Sequence, residues 1–400
     1  MAEPDISRAP KPEGATGVLV LASGEVAWGR GFGAEGAAVG EVCFHTAMTG
    51  YQEIMTDPSF AGQIITFTFP HIGNVGANPD DVEADDPHAL GMIVREDPTA
   101  PSNFRAMENL DGWMKRHTRI GLAGIDTRAL TRRIRSGGAP NGVVAHSPDG
   151  TFDIDALLAM ARGWPGLEGM DLAKDVTRET HGIWEGGIWR LGFGYGAAGA
   201  GERPHVVAID YGSKHNIFRN LVQAGAKVSV VPAEASFEQI MALNPDGIFL
   251  SNGPGDPAAS DYAVDAVKGV LDARRPLFGI CFGNQILGRA LGLGTYKLRF
   301  GHRGLNQPVL DRVSGTVRVT SHNHGFAVDA PLDRPTGTPH GPVEVSHVGL
   351  NDDVVEGLRC LEVPAFSVQF HPEAAAGPHD ANPLFGRFVD LMEASRAQAH

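Results

Sequence analysis

Pro276-Leu277-Phe278-Gly279-Ile280-Cys281-Phe282-Gly283-Asn284-Gln285 carries an apolar run into a turn of small residues and out into a second apolar run that reaches Leu291. The first run predicts a strand and the second, Phe282 to Leu291, a helix. A thiol between two glycines at such a junction can be held exposed above a sheet on a sharp turn, as in the nucleophile elbow. The helix N-terminus adds partial positive charge beside the sulfur and favours the reactive thiolate.

Working outward, the same alternation runs through the whole carboxyl half. Val206-Val-Ala-Ile-Asp, Lys227-Val-Ser-Val-Val and Gly247-Ile-Phe-Leu-Ser read as strands, with helices over 214–223, 237–243 and 262–271. Strands alternating with helices of this length predict an α/β domain with a central, mostly parallel sheet. Ligands of such sheets gather at the carboxyl ends of the strands, where Ser251-Asn252-Gly253-Pro254-Gly255-Asp256-Pro257 and Cys281 both fall. The segment 315–369 turns β-rich, and 382–397 predicts a terminal helix. The amino half reads as a β-rich domain, with strands from Gly17, at Gln63–Phe69 and at Gly142–Ala145, and helices over 125–135 and 154–161. The Gly-, Ala- and Trp-rich stretch 182–203 lacks periodicity and reads as a linker, and 1–16 as a flexible arm. The predicted domains are therefore 1–203 and 204–400.

Four hundred residues suit two or three domains. A formal charge of −14 offers no basic face and argues against nucleic acid. Cys43, Cys281 and Cys360 are few, odd in number and widely spaced, as in a reducing compartment. No window approaches a membrane span and no basic, apolar leader opens the chain, so the expectation is a soluble, cytoplasmic protein with no membrane association.

Each candidate has a plainer reading. A cysteine after an apolar strand is usually a small buried hydrophobe, but burial alone does not require glycine on both sides. His371 in His371-Pro372-Glu373 can be an ordinary hydrogen-bonded histidine. The residue before proline is driven towards extended geometry, however, and side chains at i and i+2 then point the same way. Glu373 can thus fix the imidazole tautomer while the other ring nitrogen serves the thiol. The Gly253 loop lacks the Gly-Lys-Ser/Thr ending of a phosphate loop. Its backbone and the amide of Phe282 can instead offer two donors to an oxyanion. His322-Asn323-His324 suggests a metal, but no cysteine or carboxylate at ligand spacing accompanies it, and no metal site is predicted.

With these residues in hand, the carboxyl half resembles the class I, or triad, glutamine amidotransferase family. Gly279-Ile-Cys-Phe-Gly-Asn-Gln285, His371-Pro-Glu373 and Asn252-Gly-Pro-Gly-Asp-Pro257 occur in that family's order and approximate spacing. From about residue 16 onward the chain is similar to one branch of it, the carbamoyl phosphate synthetase small-subunit family. That likeness rests on Thr49-Gly-Tyr-Gln-Glu-Ile-Met-Thr-Asp-Pro-Ser-Phe60, Phe69-Pro-His-Ile-Gly-Asn-Val-Gly76, Pro101-Ser-Asn-Phe-Arg105 and Ile125-Asp-Thr-Arg128. Arg299-Phe-Gly-His-Arg-Gly304, Asn323-His-Gly-Phe-Ala-Val328 and Pro378-His-Asp380 extend it.

The resemblance implies a glutaminase in which Cys281 attacks the side-chain amide of L-glutamine and His371, oriented by Glu373, protonates the departing ammonia. Water then hydrolyses the thioester. It implies oxyanion contacts from the backbones of Gly253 and Phe282, and glutamine contacts from Gly255, Gln285, Asn323, Gly325 and Phe326. At position 47 some relatives carry a serine; Ala47 leaves only a main-chain contact. Asn284 replaces a more familiar histidine. The implied partner is a large subunit that takes the ammonia and makes carbamoyl phosphate from bicarbonate and two ATP, for arginine and pyrimidine synthesis. No cofactor is expected in this chain; ATP and magnesium belong to the large subunit, and heterodimers can assemble further. Two rival readings are a stand-alone γ-glutamyl hydrolase or another amidotransferase, and a catalytically silent assembly subunit.

Overall fold

A computed structural model describes residues 10–199 and 201–398. The flexible arm expected over 1–16 lies outside the described residues as far as residue 9. Residues 10–16 are described, and they include buried Ala15 and a Thr16 amide bonded to the Gly29 carbonyl at 3.1 Å.

The chain forms two compact units, Met1–Glu168 with Arg299–Arg303, and Gly169–Leu298 with Gly304–His400. The first is a closed barrel. Its strands are Gly17–Leu21 (β1), Val26–Gly33 (β2), Gly36–His45 (β3), Gln63–Phe67 (β4), Gly91–Ile93 (β5), Ile120–Ala123 (β6) and Asn141–His146 (β7). Around the barrel they run β1-β2-β6-β5-β4-β3-β7, and β7 closes back onto β1. Closure leaves no strand edge open for stray pairing. Helices Tyr51–Thr56 (α1), Leu110–Arg116 (α2), Thr127–Gly137 (α3) and Ile154–Gly163 (α4) complete the unit. α3 opens on Asp126, whose carboxylate accepts from the Ala129 amide, and stops at Gly138, whose φ of 95° only glycine adopts freely.

The second unit begins with Ala173–Val176 (α5), Gly182–Trp184 (β8) and a hairpin of Gly186–Arg190 (β9) and Gly194–Ala197 (β10). The alternating segment follows: His205–Asp210 (β11), His215–Gln223 (α6), Lys227–Pro232 (β12), Phe237–Met241 (α7) and Gly247–Leu250 (β13). Asp261–Asp272 (α8), Leu277–Ile280 (β14) and Phe282–Ala290 (α9) continue it. The β-rich stretch comprises Gly294–Asp311 (β15), Thr316–Asp329 (β16), Val343–Gly349 (β17), Val355–Cys360 (β18) and Ala365–Val368 (β19), before Pro383–Gln398 (α10). Ten of these strands make one sheet, ordered β16-β15-β17-β18-β19-β14-β13-β11-β12-β8. Its centre, β12-β11-β13-β14-β19, is parallel throughout. These strands are almost wholly buried, as unbroken apolar runs covered on both faces must be.

The boundary differs from the expectation near 203. The units divide at Glu168, and 182–203 is not a bare linker: β8 pairs antiparallel with β12, through Trp184 opposite Val228. Short glycine-rich strands have too little apolar alternation to be seen in sequence. Among the described residues, no helix is long and apolar enough to cross a membrane.

Candidate active site

Three neighbouring parallel strands bring the predicted residues together. Leu250 of β13 lies opposite Gly279 of β14, and Ile280 of β14 opposite Val368 of β19. The chain leaves β13 into the Ser251–Pro257 loop, β14 into Cys281, and β19 into Gln369, Phe370 and His371. All three exits sit at the carboxyl edge, where an open parallel sheet holds its ligand. Two backbone bonds tie them: the Cys281 amide donates to Val368 O at 2.8 Å, and the Gly283 amide to Ser251 O at 2.9 Å.

Cys281 has φ 54° and ψ −101°, a conformation in which a side chain costs on the order of 1–3 kcal/mol. It precedes the first residue of α9, as predicted. The flanking glycines are sterically required. A Cβ on Gly279 would lie 2.7 Å from the Gly283 carbonyl oxygen, and one on Gly283 only 2.4 Å from that of Leu250. Gly283→Ala is therefore expected to cost about 2–3 kcal/mol by overpacking against backbone. A circular-dichroism melt should show a transition several degrees below wild type, and an unchanged melt would refute the steric account. The expectation of an exposed thiol is corrected: Cys281 is only 2% exposed, and its sulfur lies 3.6 Å from the Asn323 carbonyl, to which the thiol donates. Strand β16 covers the turn, which the local sequence around Cys281 could not reveal.

His371 and Glu373 face each other, with Nδ1 and Oε1 2.6 Å apart. The carboxyl oxygen accepts only, so Nδ1 carries the proton and Nε2 is the nitrogen turned to other work. Nε2 is buried, and Cys281 acts on the ring both through charge and as a side-chain hydrogen-bond partner. A group the sequence reading missed completes the array. Buried Lys214 places Nζ 3.0 Å from Glu373 Oε1 and also donates to the Ala374 carbonyl. It sits just before α6, and no motif marks it. Asn216 Nδ2 donates to the Glu373 carbonyl at 2.5 Å.

Burial alone would raise the Glu373 carboxyl, but the Lys214 ammonium and then the His371 ring outweigh it and hold it down at about 2. Burial alone would likewise lower His371, but the Glu373 carboxylate, followed by Cys281, lifts it to about 10. The imidazole is thus a protonated acid at neutral pH. Both shifts stabilise the fold. The histidine contribution is complete below its ordinary 6.5 and disappears as pH rises through about 10. The carboxylate contribution is complete above its ordinary 4.5 and disappears as pH falls through about 2. Urea midpoints should consequently fall between pH 6.5 and 10 in the wild type, and fall less in His371→Asn. Equal alkaline losses in the two proteins would contradict this pairing.

The loop before α8 is built to come close. A Cβ on Gly253 would lie 2.2 Å from the Tyr211 carbonyl oxygen, and one on Gly255, at φ 93°, 2.6 Å from that of Met170. Asn252 Oδ1 accepts from the Lys214 amide at 3.0 Å, linking this loop to the Lys214 and Glu373 pair. The Phe282 amide, first in its helix, has no intrahelical acceptor. Gln285 Nε2 donates to the Phe326 carbonyl at 2.9 Å and to Gln369 Oε1 at 3.2 Å, which joins α9 to β16. Asn284 is wholly buried: its Nδ2 donates to Gln369 Oε1 and its Oδ1 accepts from Ser367. The departure from histidine there is absorbed by hydrogen bonds to Gln369 and Ser367. Gly325 and buried Phe326 follow Asn323 on β16, and the Lys297 ammonium lies 5.6 Å from the Phe326 ring centroid. Ala47 belongs to the first unit, where it is buried and its amide donates to His45 Nδ1 at 3.0 Å.

An acid poised beside a buried sulfur on a strained turn, with glycine backbone close by, suits acyl transfer through a thioester. Comparison with known proteins identifies the family. Residues 19–144 match the model of the carbamoyl-phosphate synthase small chain, CPSase domain, and residues 207–391 that of the glutamine amidotransferase class-I family. The carbamoyl phosphate synthase small chain of Zymomonas mobilis subsp. mobilis is 58% identical over 379 residues, covering 94% of this chain and 100% of the relative. That of Ruegeria pomeroyi is 54% identical over 385 residues, covering 96% and 97%. That of Brucella canis is also 54% identical, covering 96% and 94%. With both domain matches in order and relatives this similar along nearly their whole length, the chain belongs to the carbamoyl phosphate synthase small chain family and carries a class I glutamine amidotransferase domain.

Proposed function

We propose that this chain hydrolyses L-glutamine through Cys281, His371 and Glu373 and passes the ammonia to a large subunit. The observation that carries the reading is the 2.6 Å His371–Glu373 pair at the edge of the strand adjacent to the one that ends in Cys281. The sulfur, having lost its proton to solvent, attacks the side-chain carbonyl carbon of glutamine as the thiolate, and the negative charge that develops on oxygen is met by the Gly253 and Phe282 amides. His371, protonated and held by Glu373, gives its Nε2 proton to the amide nitrogen as the carbon–nitrogen bond breaks, leaving a glutamyl thioester and ammonia. Water, deprotonated by the now neutral imidazole, cleaves the thioester to glutamate and regenerates the thiolate and the protonated ring. Lys214 keeps the Glu373 carboxylate ionised throughout and so acts as a positioning residue. Gly255, Gln285, Asn323, Gly325 and Phe326 form the glutamine contacts.

The large subunit in this proposal binds ATP and magnesium and converts bicarbonate and the delivered ammonia to carbamoyl phosphate for arginine and pyrimidine synthesis, in the cytoplasm. The experiment is an acid quench of the chain turning over glutamine, followed by peptide mass spectrometry. A glutamyl adduct on the Cys281 peptide is expected. Turnover with no adduct on that peptide, at any quench time, would rule the route out.

A further inference from the structure

We propose that His322, His324 and Glu356 form a buried divalent metal site of the zinc class. β16 places the two histidines at i and i+2, on one face of the strand, and β18 brings the carboxylate to them. Sequence spacing offered no carboxylate near His322 and His324; the sheet supplies one from more than thirty residues away.

The geometry separates a shared metal from hydrogen bonding. His322 Nδ1 and His324 Nε2 are 3.2 Å apart, and Glu356 Oε1 lies 3.6 Å from the first and 3.8 Å from the second. Both carboxylate distances are longer than an ordinary hydrogen bond. Yet a single point in the plane of the three atoms lies about 2 Å from each, which is the Zn–N and Zn–O bond length. The ligand atoms therefore need no rearrangement to coordinate.

The outer ring nitrogens fix the tautomers. His324 Nδ1 lies 2.9 Å from the Phe326 carbonyl, which can only accept, so the proton is on Nδ1. The Thr320 hydroxyl donates to the Gln307 carbonyl at 2.9 Å and so accepts, at 2.8 Å, from His322 Nε2. In their neutral forms the two rings turn lone pairs towards each other and towards a Glu356 carboxyl oxygen. One proton between the rings would serve one side of this triangle, whereas a dication serves all three. Ligating histidines characteristically donate their other N–H to an oxygen in this way. Two imidazoles and one carboxylate, borderline and hard donors, suit zinc or cobalt better than magnesium or calcium. Asn323, whose carbonyl receives the Cys281 thiol, lies between the two ligands, so the metal would brace the strand that covers the nucleophile.

The test loads the intact, untagged chain with Zn²⁺ or Co²⁺, desalts it and measures metal by mass spectrometry, with X-ray absorption on the zinc form. The expected result is about one metal per chain, an absorption shell with two imidazoles, and a fall below about 0.2 in His322→Ala and Glu356→Gln. A raised melting temperature in the loaded wild type should disappear in both variants. Retention below about 0.1 per chain, a shell without imidazole, or full retention in folded variants would overturn the site. The first would leave a shared proton between the rings, the second would place the metal on carboxylates elsewhere, and the third on other histidines. The wild-type measurements need no variant, and none of the readouts depends on glutamine turnover.

Discussion

Cys281→Ser is expected to reduce glutamine-dependent carbamoyl phosphate synthesis by the complex with the large subunit at least about 10³-fold, while ammonia-dependent synthesis stays within about twofold. The substitution preserves shape on a turn where shape matters, since a φ of 54° between two backbone-locked glycines leaves no room for adjustment. What changes is the proton. A thiol ionises readily, and the resulting anion is a strong nucleophile. A hydroxyl must instead give its proton to a base as it attacks, and His371, lifted to about 10 by Glu373, is already protonated. Serine at this position is therefore placed correctly and remains inert. The ammonia-dependent rate is the control, because it bypasses the thiol and reports whether the partner still docks. Undiminished glutamine-dependent synthesis would exclude Cys281 as the nucleophile, and loss of both rates would indicate a folding or docking defect.

Glu373→Gln should be nearly as damaging and should also destabilise the fold. The amide is the same size as the carboxylate but carries no charge, so Lys214 Nζ loses its ion-pair partner, 3.0 Å away in the wild type, while remaining buried. Stranding one member of a buried ion pair costs about 3–5 kcal/mol. The imidazole loses the largest of the influences that raise it, and its pKa falls. Less of the acid needed for ammonia departure is then present at neutral pH, and a glutamine amide can also present its NH₂ to Nδ1 and hold the wrong tautomer. A loss of about 10²–10⁴ in turnover is expected. The pH profile distinguishes this from simple unfolding: residual activity should fall with rising pH in the neutral range, where the wild type is flat. Lys214→Met in the same background should recover stability without recovering activity. A Glu373→Gln enzyme with wild-type turnover and an unshifted profile would remove the carboxylate from the reaction.

The legible part of this molecule was local. Phe278 to Gln285 announced a strand, a turn and a helix because apolar periodicity and paired glycines are properties of neighbouring residues. Helix α3 stops at Gly138 for the same kind of reason. His371 and Glu373 meet across a turn, closed by the Ala374 amide on the His371 carbonyl at 3.2 Å, and not on one face of the extended segment that proline at 372 suggested. Other features depend on residues distant in the chain. The burial of Cys281 comes from β16, and the place of Lys214 from the turn into α6. The boundary at Glu168 follows from β8 joining the second sheet through contacts that a glycine-rich sequence does not advertise.

By itself, then, the sequence determined most of the elements, the candidate site residues Cys281, His371 and Glu373, and the family, since each is written in residue type and short spacing. Only the tertiary structure decided what surrounds them. Parallel pairing of β14 with β19 delivers His371 to the edge where Cys281 lies, Lys214 holds Glu373 ionised, and Glu356 meets His322 and His324. The physical reason is that side-chain charge states and ligand sets depend on distances of 2 to 4 Å through space, and hydrogen bonding between strands sets those distances without regard to separation along the chain.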